Sequence, residues 1–533
     1  MPRPVVLPAL PTSPIVAVRA AGGVAIALVL ATLIVCPVAV VAVQGLLASA
    51  PDWPWRVAAD TLAVALAATL GALVPALLIG YTLMRLDVPG RWLVWQVFRI
   101  GVLMPPFIVS LALLALVGSH GLLAAGVPRP GLAAIAIGQA IALLPIAVAL
   151  VVRVLVRVPV ELEHVAEALG APRMTIVRRV TLGLAGTGVL RAVLVLLGLC
   201  LADVATPLLL GGDARVLATI VVATAAADSS GAARAALMLA ALAVPVALGG
   251  AAWRSDGAAL RERAVLPRLE RRVAPALRWS LGAPVWVVAA ALAGLWAVVP
   301  LASLLARDAG GLSLEHWAVL ATAAGARTLG TSVALGIGAA LGGTALALAA
   351  AWIVERHRGA AGRTVEFLMR IPIVIPGLVA GVGYALVFAA PLAGFAATLP
   401  ILIVLVACWE LPLTARAAQA ALVRSDRSAE EAAVSLGAGA LTTLVRVVAP
   451  ALRPVAGWMA GRLFAAGVLA VGTVIVLAGA GRELGAVTML TLAATGATGA
   501  ACAVATALVV LARGAVLLGH AIASHQHGHT LLA

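Results

Sequence analysis

Apolar stretches long enough to cross a lipid bilayer recur along the whole of this chain. A helix needs about 20 mainly apolar residues to cross roughly 30 Å of hydrocarbon. Such segments lie at residues 21–48, 60–83, 100–118, 131–153, 186–207, 232–253, 280–306, 328–354, 371–389, 397–416, 455–478 and 489–518. Because 63% of the residues are hydrophobic and only 11% are charged, too little polar sequence remains to cover a soluble globule. We therefore predict an all-α integral membrane protein with about 12 transmembrane helices.

The basic residues predict how these helices are oriented. All 36 basic residues are arginine, and the chain contains no lysine. With the N-terminus inside, most of the arginines fall in cytoplasmic loops. This agrees with the positive-inside rule, by which cytoplasmic loops carry an excess of basic residues. The exceptions are Arg56, Arg129, Arg215, Arg234, Arg307, Arg327 and Arg482. We predict a multi-pass protein of the cell (inner) membrane with both termini in the cytoplasm. The net charge of +15 is then explained by arginine-rich loops beside the lipid bilayer, and it does not indicate binding to nucleic acid.

The residue types that are missing or scattered exclude several kinds of chemistry. A phosphate-binding P-loop needs a lysine after its glycines, so a chain without lysine cannot carry an ordinary ATP site. The four cysteines stand singly in apolar runs, without the spacing of a zinc site or a disulfide framework. We expect no catalytic residues, no metal site and no cofactor on this chain, which is then not an enzyme.

A short charged sequence motif appears twice, 267 residues apart, at residues 161–171 and 428–438. Both copies follow the fourth span of a six-span half, on the arginine-rich side. Their glutamates and alanines favour helix, and Gly170 and Gly437 are suited to end that helix in a left-handed conformation. Residues 172–182 and 439–449 would start a second short helix. The sequence thus predicts two cytoplasmic helix–glycine–helix loops, the first loop at 161–183 and the second loop at 428–450.

Further residues repeat in register and divide the chain into halves. The pairs at a spacing of 267 are Arg157 and Arg424, Pro145 and Pro412, and Thr206 and Thr473, while those at 271 include Arg85 with Arg356 and Pro105 with Pro376. Six spans in each half give both copies the same orientation. We predict two parallel six-span repeats at 1–253 and 280–533, with a cytoplasmic linker at 254–279 and a pathway between the halves.

The second loop resembles the signature loop of the permease subunits of binding-protein-dependent ABC importers of type I. That signature is Glu-Ala-Ala, three residues, Gly, nine residues and hydrophobic-x-hydrophobic-Pro. The first loop is degenerate, with His164 at the Glu position and Gly183 at the Pro position. The resemblance implies that each loop docks a separate ATPase subunit, which holds ATP and Mg. It also implies that an extracytoplasmic solute-binding protein delivers the cargo. The implied docking residues are Glu161, Glu163, His164, Glu167, Gly170, Glu430, Glu431, Ala432, Ala433, Gly437 and Pro450.

Within that family, residues 201–212, 216–219 and 471–477 resemble the fused permeases for ferric iron and their 2-aminoethylphosphonate relatives. Thiamine permeases share the two-half layout and stay open as an alternative. Ferric iron is the first choice of solute on this resemblance.

Asp203 and Glu410 are the acidic residues that lie deepest in apolar sequence. Such residues usually face an interior or a watery cavity, so both are candidates for the translocation pathway, with a structural hydrogen bond as the alternative. Thr206 and Thr473, related by the repeat, are further candidates, although threonine also packs well between helices. Prolines at 105, 106, 372 and 376 should interrupt the third and ninth spans, as gates or as packing kinks. The histidines at 520, 525, 527 and 529 are more typical of a disordered terminus than of a metal site.

Two other functions fit parts of the pattern. A secondary transporter can have two parallel six-span halves, but it needs no repeated charged loop after the fourth span and usually places pairable charges in several spans. A polytopic membrane enzyme needs a cluster of His, Asp or Glu at a membrane face, and the sequence shows none.

Overall fold

The computed structural model describes residues 14–48, 53–118, 131–252, 275–305, 311–356, 359–389, 398–478 and 483–524, and these ranges are almost entirely helical without a strand. The first helices are α1 (Pro14–Leu30), α2 (Cys36–Leu47), α3 (Trp55–Arg85), α4 (Arg91–Val102), α5 (Pro106–Val117) and α6 (Leu132–Leu155). Next come α7 (Val160–Ala168), α8 (Arg173–Thr175), α9 (Leu182–Ala202), α10 (Ala205–Leu210), α11 (Leu217–Thr224) and α12 (Ser229–Ala252).

The later part of the chain continues in the same way. Its first helices are α13 (Pro275–Ala302), α14 (Ala318–Ala321), α15 (Ala323–Arg356), α16 (Ala360–Leu368), α17 (Ile371–Val374), α18 (Gly377–Ala389) and α19 (Leu399–Arg424). The last are α20 (Ser428–Ser435), α21 (Ala440–Thr443), α22 (Ala449–Ala451), α23 (Arg453–Val468), α24 (Ile475–Ala478), α25 (Gly485–Ala494) and α26 (Thr498–Ser524). Short π-helices lie at Ala31–Val35, Ile176–Thr181 and Leu444–Val448, and a 3-10 turn lies at Glu315–Trp317.

Within the described ranges, nine helices are long and apolar enough to cross a membrane, and two bent helix pairs raise the number to as many as 11. The prediction of an all-α integral membrane protein is confirmed. The exact count of 12 spans, the two repeat boundaries and the linker stay predictions, since residues 253–274 lie outside the described part.

The bent pairs lie where prolines were expected to interrupt the third and ninth spans. Helices α4 and α5 meet at 101° beside Pro105, and the α16–α17 segment meets α18 at 109° beside Pro376. At the second bend, the indole Nε1 of Trp409 donates to the carbonyl of Ile375 at 3.2 Å. That bond satisfies a carbonyl that the bend removes from the helical ladder. The interruption of both spans is thus confirmed.

Besides the third and ninth, three more predicted spans are not single helices. The span predicted at 186–207 is broken after Ala202, and the one at 455–478 ends as a helix at Val468. The two breaks face each other, because a Cβ on Gly472 would lie 3.2 Å from Cγ2 of Val204. The segment predicted at 489–518 is divided into α25 and α26 at Gly496, whose φ of 82° ends α25. Hydropathy alone missed these breaks because one aspartate, or a few glycines and threonines, barely lowers the mean hydropathy of a long apolar stretch.

The first span of each half packs against the other half. Leu30 and Ile34, from the α1–α2 segment, are buried in a cluster formed mainly by α15, α16, α19 and α23. The hydroxyl of Tyr384 on α18 donates to the carbonyl of Leu33 at 2.7 Å. In return, Trp286 on α13 donates from Nε1 to the carbonyl of Pro89 at 2.9 Å. This exchange of first spans joins the two halves into one bundle.

A pair of equivalent hydrogen bonds supports the relation between the halves. Thr61 Oγ1 on α3 accepts the amide of Leu217 at 2.9 Å, at the start of α11. Ser332 Oγ on α15 accepts the amide of Gly485 at 2.8 Å, at the start of α25. Each hydroxyl also donates to the carbonyl four residues earlier in its own helix. An otherwise unpaired N–H at a helix start is satisfied in both halves by the same side-chain chemistry.

Candidate functional site

The two loops have the predicted helix–glycine–helix form. Helix α7 ends before Gly170 and α20 ends before Gly437, with φ of 82° and 83° respectively. In the first loop, Gly170 N–H donates to Glu167 and Ala171 N–H donates to Ala166; the second loop repeats this at Gly437 and Ala438. This pair of bonds is the Schellman motif, which a glycine accommodates without a Cβ penalty. The predicted left-handed glycine caps are confirmed.

The return segments of the loops are also equivalent. After each glycine comes a short α-helical turn, then a π-helical stretch at Ile176–Thr181 in the first loop and at Leu444–Val448 in the second. Each stretch leads into the fifth predicted span of its half, α9 or α23. A π-helix inside an α-helical run is rare and is frequently found at functional sites. The two loops therefore share a distinctive backbone as well as a sequence pattern.

One glutamate in each loop points inward and pairs with an arginine at the end of a long helix. Arg85 Nε lies 3.0 Å from Glu163 Oε1, and Arg356 Nη2 lies 2.7 Å from Glu430 Oε1. Thr181 Oγ1 also donates to Glu163 at 2.9 Å, whereas Trp352 Nε1 donates to Glu430 at 3.0 Å. Both ion pairs are buried, so the low local dielectric strengthens each of them.

The same contacts act on the ionisation of Glu430. Burial favours its neutral form, but the hydrogen bonds from Arg356 and Trp352 favour the carboxylate and together lower its pKa below the usual value. Next to the loop, the exposed Asp426 accepts hydrogen bonds from the amide and hydroxyl of Ser428, which lower its pKa as well. Those bonds fix the start of α20.

The remaining predicted docking residues divide by exposure. Most of them are exposed: Glu161, His164, Glu167, Gly170, Glu431, Ala432 and Gly437. Ala433 and Pro450 are half-buried, and Pro450 lies in the turn that enters α23. Only Glu163 and Glu430 are buried. The expected docking set therefore consists of an outer surface and two inward-pointing acids.

Sequence reasoning missed the most exposed apolar residues of the loops. Leu169 and Leu436, directly before the capping glycines, are 83% and 88% exposed, and Met174 and Leu441 at the next turn are 69% and 74% exposed. Leu169 and Leu436 are 267 residues apart, and so are Met174 and Leu441. This repeat spacing is the signal that would have revealed them. Both charged loops thus expose apolar side chains at equivalent places.

The pathway candidates of the first half lie at the break between α9 and α10. Asp203 accepts the Thr206 amide at 3.3 Å and the side-chain amide of Gln139 at 3.3 Å, and it borders a small cavity with Gln139 and Thr61. Thr206 is fully buried, and its hydroxyl accepts a hydrogen bond from Ser110 Oγ at 2.9 Å. Asp203 thus caps α10, and Thr206 joins α10 to α5.

The candidates of the second half are not equivalent to those of the first. Glu410 on α19 forms an ion pair with Arg462 on α23 at 2.9 Å, with both side chains partly exposed. Thr473 packs against α18, since a Cβ on Gly377 would lie 2.4 Å from its Cγ2. The structure brings the Asp203 and Thr473 segments to the contact between the halves. It places Glu410 beside Arg462, which we predicted to lie on the cytoplasmic side.

Within the described ranges, no group of three or more His, Cys, Asp or Glu side chains is arranged to hold a metal ion. The histidines at 525, 527 and 529 lie outside those ranges. Cys200, Cys408 and Cys502 are buried and unpaired, as expected of small apolar side chains, whereas Cys36 is exposed.

Comparison with known proteins adds two partial matches, and no protein-family model matches the chain. A stretch of 127 residues, 24% of the chain, is 38% identical to a ferric transport system permease protein of Actinobacillus pleuropneumoniae and covers 18% of that protein. A stretch of 104 residues, 20% of the chain, is 36% identical to a Haemophilus influenzae protein named for the same transport system and covers 16% of it. The matched parts thus span less than a fifth of either relative. Over these stretches the chain, with its bundle of membrane helices, is similar to proteins named as ferric transport system permeases.

Proposed function

We propose that this chain is the permease subunit of an ATP-driven importer and that each of its two loops docks one separate ATPase subunit. The observation that carries the proposal is the pair of exposed leucines, Leu169 and Leu436, presented on equivalent helix–glycine–helix scaffolds. An exposed leucine in water is unfavourable by about 2 kcal/mol relative to a buried one. A groove on a partner would recover part of that free energy at each loop.

The surroundings of the leucines favour a cytoplasmic partner. Exposed arginines flank both loops, at Arg178 and Arg179 in the first loop and at Arg427 and Arg446 in the second. Such arginines mark the cytoplasmic side of a membrane protein, where ATP is available. ATP would draw the two docked subunits together, and their motion would rock the halves between an outward-open and an inward-open state. Hydrolysis takes place on the partners and not on this chain.

Ferric iron is the proposed solute, delivered by an extracytoplasmic binding protein. The support comes from the two relatives, both named for ferric transport. 2-Aminoethylphosphonate and thiamine are the alternatives, because similar permeases carry them and the permease does not itself select the solute.

Docking is tested by comparing two leucines of similar exposure. Leu436→Ala should weaken the affinity of the purified chain for its ATPase subunit by about tenfold, corresponding to about 1.4 kcal/mol of lost apolar contact. Leu341→Ala is the matched control, since Leu341 is 70% exposed on the membrane helix α15. Glu431→Ala and Gly437→Pro should weaken capture as well. Equal affinities for the Leu436 and Leu341 variants would contradict docking through the loops.

The solute is tested by uptake into cells that express the complete transporter. Accumulation of radioactive ferric iron should require this chain and should fall when the Leu436 variant replaces it. Excess 2-aminoethylphosphonate or thiamine should leave iron uptake unchanged. Accumulation of either compound, with no accumulation of iron, would replace iron by that solute while keeping the docking mechanism.

A further inference from the structure

The buried arginines Arg85 and Arg356 connect three elements each. Arg85, the last residue of α3, binds Glu163 on α7 and donates from Nη2 to the carbonyls of Leu155 and Val158 at the end of α6. Its side chain is 4% exposed. One guanidinium thus joins the end of a membrane helix, the end of the next span and the loop helix.

The second half repeats this arrangement. Arg356, the last residue of α15, binds Glu430 on α20 and donates from Nη2 to the carbonyl of Leu422 at 3.4 Å and the hydroxyl of Ser425 at 3.3 Å. Its side chain is 8% exposed. Leu422 and Ser425 stand 267 residues after the corresponding acceptors of the first half.

A buried ion pair is a poor way to gain stability. Removing two charges from water costs about as much as their attraction returns, and well-packed apolar residues are often as stabilising. What the pair supplies is a fixed geometry, because the planar guanidinium binds a carboxylate and carbonyls only in particular directions. The carboxylates of Glu163 and Glu430 are held in this way, so each fixes its loop helix to the end of a membrane helix.

The opposite ends of the same two helices carry the other equivalent pair of contacts. Thr61 and Ser332, which hold the first amides of α11 and α25, each precede the terminal arginine of their helix by 24 residues. At 1.5 Å per residue, that distance is roughly 36 Å along the helix axis. Helix α3 therefore connects the loop helix α7 at one end to the short helix α11 at the other. Helix α15 connects α20 to α25 in the same way.

We propose that α3 and α15 are struts that transmit motion from the loops to α11 and α25, with Arg85 and Arg356 as the positioning residues at the loop end. The inference rests on the proposed docking function. A partner that displaces α7 or α20 would displace the attached arginine, and the stiff helix would carry the shift to Thr61 or Ser332. The loop surface then determines binding, whereas the arginine determines coupling.

The test separates binding from coupling in the full chain assembled with its ATPase subunit. Spin labels at Ala223→Cys on α11 and Thr491→Cys on α25, both exposed sites, report the distance between the far ends. The exposed Cys36 is changed to serine beforehand. ATP should change this distance in the otherwise unaltered chain. Arg356→Met should reduce that change, since only α3 then still transmits motion, while altering the affinity for the ATPase subunit less than twofold.

Two further variants complete the design. Ser332→Ala, at the far end of α15, should also reduce the distance change and leave affinity unaltered. Glu431→Ala is the contrasting variant, because it should reduce affinity itself.

The outcomes distinguish this inference from the function on which it rests. A full distance change in Arg356→Met, or a loss of affinity in that variant as large as in Glu431→Ala, would overturn the strut. If the unaltered chain binds the subunit but ATP leaves the distance constant, the strut also fails and docking stands. If no ATPase subunit binds the unaltered chain, it is the proposed function that fails.

Discussion

Replacing the capping glycine of either loop by alanine should loosen the helix that it ends. Gly437 has a φ of 83°, and a Cβ added there would meet no atom within 4 Å. The change is therefore purely one of backbone conformation. A left-handed conformation costs a residue with a Cβ about 1–2 kcal/mol. In Gly437→Ala, the opened form of α20 should become about 5–30 times more populated.

Hydrogen–deuterium exchange of the full chain in detergent measures this population directly. The amides of α20 should exchange faster in Gly437→Ala by that factor, while the amides of α7 serve as a reference in the same molecule. Gly170→Ala, with a φ of 82° and equally open surroundings, should produce the reverse pattern. In both cases the other loop should keep its original rates.

A third glycine supplies a control of opposite sign. Gly186 lies inside α9, has no positive φ and also has nothing within 4 Å of an added Cβ. Alanine is favoured over glycine in a helix by about 0.5–1 kcal/mol, so Gly186→Ala should slow exchange or leave it constant. Unchanged α20 exchange in Gly437→Ala, or faster exchange in Gly186→Ala of the same size, would refute the assignment of these glycines as left-handed caps.

Three further outcomes follow from the polar contacts. The hydrogen bonds to Glu430 outweigh its burial and lower its pKa, so their contribution to the stability of α20 is fully present at neutral pH. That contribution is lost as the pH falls below the ordinary glutamate pKa of about 4.3. Hydrogen exchange of α20 should therefore accelerate only there, and acceleration near pH 6 would contradict this. Ser110→Ala leaves the buried hydroxyl of Thr206 without its donor and should lower stability by about 1–3 kcal/mol in thermal unfolding, and an unchanged stability would exclude this hydrogen bond. Glu410→Gln should destabilise the chain through the unpaired Arg462, by about 1 kcal/mol because both side chains are partly exposed; a double-mutant cycle with Arg462→Gln should show coupling, and strict additivity would exclude the ion pair.

The loops show which parts of the structure the sequence could predict. Helix propensity and a glycine at a fixed distance were enough to place α7, α20 and their caps, because these features depend on neighbouring residues only. The direction of each glutamate was not predictable in this way. Glu430 and Glu431 have the same propensity, and what buries one of them is Arg356, 74 residues earlier in the chain.

The bundle shows the same limit on a larger scale. Prolines beside Ile375 and at Pro105 marked the bends, since proline removes a backbone donor wherever it occurs. The packing of α1 on the other half was hidden, because a helix that faces lipid and a helix that faces another helix have similar composition. The breaks at Asp203 and Gly472 were also hidden, since they are set by contact between the halves.

The two loops share their anchors and their exposed leucines but not all of their exposed polar residues, and this difference leads to a last prediction. Glu431 in the second loop corresponds to His164 in the first, and both side chains are exposed. If a partner offers the same basic group to both loops, His164→Glu should strengthen its binding to the first loop. An exposed ion pair contributes about 0.2–1 kcal/mol, so the affinity should rise by no more than about fivefold.

The control for this change is His164→Gln, which removes the imidazole without adding a charge. Affinity is best measured with the second loop disabled by Leu436→Ala, so that only the first loop reports. The gain in His164→Glu should also shrink as salt is raised, because exposed charges are screened within about 8 Å at physiological ionic strength. Equal affinities for the Glu and Gln variants would mean that the partner offers no cation at this position. The two loops would then differ in sequence at this position without differing in binding.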